Sequence, residues 1–211
     1  MLIFAIMERK IFETNTKPFV EANEVSALIK RRRTIYPEVY IEKDIPKEIV
    51  RDILTNATWA PTHGKTEPWR FKVYMGKSRE ILHKKLHDLY VAHTPTEDFS
   101  KHKLARIGKR LEITPVLVLL FMKRTENTRI PYVEEMAATA AAGQNMLLTA
   151  ASYGVGSFWS SPKFLYTPEA NEMFGLKPDD AIKGLFYFGY TDKEPPVTQR
   201  KPLEEVVEWF E

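Results

Sequence analysis

Apolar positions recur along the chain with two periods, one helical and one extended. In "NEVSALIKRRR" Val25, Leu28 and Ile29 fall at helical spacing, and the basic end suits a helix C-terminus. In "DIPKEIVRDILTNATWAP" Ile49, Val50, Ile53, Leu54 and Ala57 share one face, predicting a helix with Pro46 at its first helical position and Pro61 at its end. "WRFKVYMG" alternates as a strand does and is stopped by Gly76. "SREILHKKLHDLY" returns to helical spacing with Leu82, Leu86 and Leu89 inward. The stretch 91–110 is polar, with a helix expected near its end. "PVLVLLFM" is apolar throughout and predicts a strand covered on both faces. After the loop "TENTRIP", the segment "EEMAATAAAGQNMLLTAASYG" is rich in small side chains, so it reads as a central buried helix that another helix can approach closely, ended by Gly154. "VGSFWSS" predicts a short strand. "TPEANEMFG" predicts a helix with Thr167 as N-cap, Pro168 at its first helical position and Gly175 beyond its end. "IKGLFYFGY" is a last strand, and the tail "RKPLEEVVEWF" is a short helix or an extended arm.

No repeat, low-complexity block or linker divides these elements, so 211 residues read as an arm over 1–22 and a single domain over 23–211. The apolar run in "MLIFAIMERK" is short of the ~20 residues that span a bilayer and lacks the flanks of a signal peptide. With no long apolar segment elsewhere and no cysteine, the expectation is a cytoplasmic protein without a membrane partner. A net charge of +3 confines any nucleic-acid reading to a local patch.

One such patch is Lys30-Arg31-Arg32-Arg33-Thr34. Guanidinium forks and a hydroxyl match phosphate oxygens, but the same run also serves as a solvated helix end or a nucleic-acid contact. The G-x-G of "YGVGS" follows a helix and precedes a strand, the reverse of a dinucleotide fingerprint. His83 and His87 lie at metal-ligand spacing, but Lys84 stands where the zinc-protease motif needs Glu, and no metal is expected. No nucleophile elbow is present. "APTHGKTEPWRF" and Trp159 with Ser160 and Ser161 place tryptophans beside polar groups. They suit either stacking on a flat heteroaromatic ring or ordinary core packing.

Taken in order, these segments resemble the FMN-dependent nitroreductase family. Its R-R-S is here Arg32-Arg33-Thr34, and its A-P-S-x-x-N-x-Q-P-W-x-F is "APTHGKTEPWRF". Its Q-N-hydrophobic helix motif is Gln144-Asn145-Met146, and its G-x-G-S runs from Gly154 to Ser157. Its closing pattern is Gly189-Tyr190, Pro195-Pro196 and Arg200 to Val207. The resemblance implies an α+β fold, a three-layer α/β/α sandwich around a mixed, mainly antiparallel sheet, with flavin at a homodimer interface. It implies that Arg32, Arg33 and Thr34 hold the FMN phosphate and ribityl end, joined by Arg200 and Lys201. It further implies that Trp59 and His63 flank the flavin, and that Trp159, Ser160 and Ser161 lie against its ring. The small-residue helix 134–153 becomes the close-packed dimer element. Thr62, Lys65 and Glu67 replace the usual Ser, Asn and Gln, Ser160 replaces Arg, and Tyr36 stands where many members are basic.

The implied activity is ping-pong reduction of nitroaromatics, quinones or similar electron-poor acceptors with NADH or NADPH. No protein nucleophile is needed, since the hydride chemistry belongs to flavin N5. Lys65 and Glu67 are candidates for the acceptor side, and His63, Lys65 or Glu67 for supplying a proton. A flavin-binding protein with little turnover and a specialised enone reductase or dehalogenase of the same fold are the alternatives. A nucleic-acid binder using Lys30–Arg33 is a third, and predicts a colourless protein; no nucleic-acid partner is expected.

Overall fold

The structure, a computed structural model, describes residues 22–126 and 129–210. The arm expected over 1–22 therefore lies outside the described residues, except for Ala22. Four strands form one sheet in the order β1-β2-β4-β3: β1 (Trp69–Met75), β2 (Val116–Met122), β3 (Gly156–Ser160) and β4 (Ala181–Gly189). All neighbouring strands pair antiparallel, and a parallel bridge joins Thr34 to Ser157 beside β3.

The apolar run of β2 is buried along its whole length because each face meets a different helical layer. Val116, Val118 and Leu120 point toward α2 (Lys47–Ala57) and α5 (Tyr132–Ser152). Leu117, Leu119 and Phe121 point toward α3 (Ser78–His93), α4 (Lys101–Ile113) and α6 (Pro168–Met173). Each such Leu or Phe contributes about 1.5–3 kcal/mol by leaving water. The remaining helix, α1 (Ala22–Arg31), leans on α5.

Local chemistry sets the boundaries. Thr167 caps α6 by accepting from the Ala170 amide at 3.2 Å, with Pro168 as its first residue, and Ser100 caps α4 through Lys103 at 3.2 Å. Two expected boundaries move. Pro46 sits just before α2 rather than inside it, and α2 stops at Ala57, with Pro61 lying beyond a turn. The tail resolves the two readings in favour of an arm: it is irregular apart from a short 3₁₀ turn over Leu203–Glu205, and exposed apart from the half-buried Val207.

The helix α5 packs into the core as expected, but on one side only. Its sheet side is sealed by Ala138, Ala142, Met146 and Ala150, but Val133, Ala137, Ala140, Gln144 and Leu148 form a stripe along the other side that is exposed or half-buried.

Candidate functional site

The basic run at the end of α1 lies beside β3. The Ile35 amide donates to the Ser157 carbonyl at 2.9 Å, which continues the Thr34 bridge. The Tyr40 hydroxyl stands 3.0 Å from the Ile35 carbonyl, 3.1 Å from that of Tyr187 and 3.4 Å from that of Gly156, so its one proton ties this run to β3 and β4. Burial pushes the Tyr40 phenol far above its ordinary range, so it remains a donor. Gly189 makes room for this tyrosine: a Cβ there would lie 2.3 Å from the Tyr40 ring.

Arg32, Arg33 and Thr34 are thereby held on a fixed backbone. Arg33 donates to the carbonyls of Lys30 and Arg32 and, through Nε, to Pro196 at 3.2 Å, which ties the C-terminal arm to α1. Arg32 is half-buried, and its pKa is lowered first by burial and then by the like charges of Arg33 and Arg200. Like charge thus gathers around Arg32, a costly arrangement without an anion to share. Arg32 and Arg33 border a cleft of about 640 Å³ whose lining also includes Arg31, Gly156 and Ser157, with Lys193 and Glu194 of the arm. Thr34 is exposed beside it. Lys201 is turned to Glu205, at 3.8 Å, and is mostly exposed.

The second group of candidates sits on the turn between α2 and β1. Trp59 is 81% exposed. Beyond it the backbone enters the left-handed region at Gly64 (φ 58°), Lys65 (φ 53°) and Glu67 (φ 43°). For a residue with a Cβ this costs about 1–2 kcal/mol, and such strain gathers at ligand sites. Side chains hold the turn: Thr62 and Thr66 share a 3.1 Å hydrogen bond, the Glu67 amide donates to Thr62 Oγ1 at 3.3 Å, and His63 Nδ1 contacts Glu134 Oε2 in the first turn of α5. Lys65 and Glu67 project into solvent.

Trp159 proves to be a packing residue on its sheet side. Its indole stacks on Phe186 at 4.8 Å and donates to the Lys183 carbonyl at 3.1 Å. Gly184, at φ 147°, lies so close that a Cβ would fall 2.3 Å from Trp159 Nε1. Ser160 is half-buried at the end of β3 and Ser161 exposed just after it. Tyr36 packs on Phe158 at 4.9 Å, and the Arg110 guanidinium lies 5.5 Å over the Tyr36 ring while pairing with Glu38 at 2.7 Å. A cation from α4 therefore stands beside the position where the resemblance leads one to expect a basic side chain. No motif in the sequence marked Arg110 or Glu134.

The candidates fall into two groups rather than one. His63 meets α5 at Glu134, whereas Ala151, in the last turn of α5, lines the Arg32 cleft. At about 1.5 Å rise per residue, Glu134 to Ala151 spans roughly 25 Å. Among the described residues no cluster of His, Asp or Glu is arranged to hold a metal ion, and no helix is long and apolar enough to cross a membrane.

The family model described as Nitroreductase family matches residues 29–190. The Bacillus subtilis protein named "Putative NAD(P)H nitroreductase YfhC" is 31% identical over 180 residues, covering 84% of this chain and 90% of that protein. Among solved structures, the nitroreductase-like family protein from Bacillus cereus matches with a TM-score of 0.74 at 31% identity, covering 93% of this chain and 99% of that one. A "putative nitroreductase in complex with fmn" from Desulfovibrio desulfuricans matches with a TM-score of 0.65 at 26% identity, covering 89% and 98%. The match thus extends from the basic run at the end of α1 through the last strand, and the chain belongs to the nitroreductase family.

Proposed function

We propose that the protein is an FMN-dependent oxidoreductase that reduces nitroaromatics, quinones or similar electron-poor acceptors with NADH or NADPH by a ping-pong mechanism. The observation that carries this reading is the cleft lined by Arg31, Arg32 and Arg33, with the charge of Arg200 felt at Arg32. Their chemistry fits the phosphate of FMN, because guanidinium groups supply charge-assisted donors to phosphate oxygens. FMN, when bound, supplies the two-electron chemistry between nicotinamide and acceptor.

The chain's own residues hold and orient. Arg32, Arg33 and Arg200 bind the phosphate, Thr34 donates its hydroxyl to the same end, and Lys201 adds charge once it leaves Glu205. Trp59, with its ring free, and His63 flank the flavin; Ser160 and Ser161 line its edge beside Trp159. Lys65 and Glu67 face the acceptor. Arg110, over Tyr36, supplies positive charge near the reduced ring. The span of roughly 25 Å along α5 from the His63 contact at Glu134 to the Arg32 cleft at Ala151 supports a homodimer in which one protomer contributes the cationic cleft and its partner the 60–67 turn. The incompletely buried stripe on α5 supports the same assembly, since Ala137 and Ala140 at its centre let a second helix approach closely.

An absorption spectrum of the purified protein, before and after anaerobic NADPH and then NADH, tests this. Oxidised-flavin bands that bleach are the expected result, and the donor that bleaches them is the physiological class. Bands that persist mean binding without turnover. A colourless preparation that takes up no FMN overturns the proposal.

A further inference from the structure

We propose that His63, oriented by Glu134, donates the proton that completes reduction of the acceptor; this rests on the flavin reading above. Glu134, from the first turn of α5, places Oε2 against Nδ1 of His63. An ionised carboxylate only accepts hydrogen bonds, so Nδ1 carries a proton and donates it to this contact. The tether leaves Nε2 as the free end of the ring. The side chains of His63 and Glu134 are 58% and 43% exposed, so the pair adds little to folding and its value lies in orientation.

The surroundings single out His63 among the three candidates of its turn. Lys65 and Glu67 have side chains without a hydrogen-bond or ion-pair partner among the described residues, so nothing there fixes their heads. From α5 the charged group facing His63 is Glu134, the loop before α5 brings the apolar Ile130 against Gly64, and the turn itself adds Lys65 and Glu67. Two left-handed residues follow the histidine immediately, and Thr62 and Thr66 lock the turn around it. A carboxylate on one ring nitrogen supports positive charge on the imidazole while the other nitrogen exchanges its proton, the same division of labour as in a His–Asp pair.

The balance is simple. The nicotinamide donor is oxidised and its two electrons arrive at the acceptor as a hydride equivalent. On a quinone this leaves an added negative charge on oxygen. The Nε2–H bond of the His63 imidazolium breaks and an O–H bond forms. The neutral ring keeps its Nδ1 proton on Glu134, and water returns a proton to Nε2.

Two readouts test the proposal on the flavin-loaded protein. Ring ¹⁵N shifts of His63 report the tautomer of the neutral imidazole. The expectation is Nδ1–H in the wild type and reversion to Nε2–H in Glu134→Ala, with Glu134→Gln retaining Nδ1–H because its amide oxygen still accepts. Rapid mixing of the reduced protein with a quinone measures the acceptor step. In His63→Ala that step should fall about a hundredfold relative to the donor step, the lower end of what a positioned acid contributes, and added imidazole should restore part of it. A wild-type Nε2–H tautomer overturns the role of Glu134. A yellow, reducible His63→Ala protein with the wild-type ratio of the two steps overturns the role of His63. A colourless protein that takes up no FMN overturns the flavin reading and this one with it.

Discussion

The cationic cleft beside β3 and the turn over residues 60–67 are two ways of building a ligand surface. The cleft is fixed by backbone: a bridge from Thr34 to Ser157, an amide bond from Ile35 to Ser157, and one tyrosine hydroxyl among three carbonyls. The turn is fixed by side chains on a left-handed backbone that no strand constrains. Their sequences differ accordingly. Two of the three residues of the R-R-S motif survive in the cleft, while three polar positions of the turn depart from the usual Ser, Asn and Gln. On the proposed function the cleft meets a phosphate, whereas the turn meets an acceptor. The first task then sits on backbone tied to the sheet, and the second on a loop that can change without disturbing the sheet.

The comparison breaks most easily at Arg32. Arg32→Ala removes a charged donor from the cleft and should weaken FMN binding by about 1.5–3 kcal/mol, roughly ten- to hundredfold, read by fluorescence titration. Thr62→Ser, on the turn, should leave that affinity nearly unchanged. Equal effects would mean that the two regions do not divide the work.

Gly189→Ala sharpens the claim that backbone packing fixes the cleft. Its methyl would drive into the Tyr40 ring, and urea unfolding should show a loss of about 1–3 kcal/mol. Unchanged stability would show that Tyr40 can move without cost. Lys65→Gly acts in the opposite direction. Relief of the left-handed strain, less the added freedom of the unfolded chain, should stabilise the protein by under about 1 kcal/mol. A destabilised variant would remove strain from the description of the turn.

The smallest effect concerns Glu38, which holds Arg110 beside Tyr36. Burial alone raises its pKa, but the hydrogen bond and charge of Arg110 outweigh that and leave it lowered. The folded value lies below the unfolded one, so the pair's contribution is complete above the unfolded carboxylate value of about 4.3 and is lost as pH falls through the folded value. Because Glu38 is 39% exposed, solvent screening keeps that contribution below about 1 kcal/mol. The stability difference between wild type and Glu38→Gln should therefore shrink on acidification; a difference that grows would reverse the assignment.

The layers were legible because burial on two faces leaves a continuous apolar run in β2, and one-sided burial leaves helical spacing in α2 and α3. Caps such as Thr167 were legible because capping needs only local chemistry. Arg110 and Glu134 were not. Arg110 is one cation among many on α4, and Glu134 reads as an acid favoured by a helix N-terminus. Their importance comes from what they meet across 72 and 71 residues of chain, to which periodicity is blind. The half-exposed face of α5 was legible only through the resemblance, which makes 134–153 a dimer element, because alanine suits the interior of one chain and a seam between two equally well.

That seam has a genetic consequence. In the proposed homodimer a residue near the two-fold axis meets its own copy. A single codon change at such a position therefore alters both sides of one contact at once. Neither copy can offer a compensating partner, so a change to Glu there would set two carboxylates face to face. Positions on that stripe have fewer acceptable neighbours than equally exposed ones elsewhere, and their tolerance is decided by self-complementarity rather than by fit to the fold.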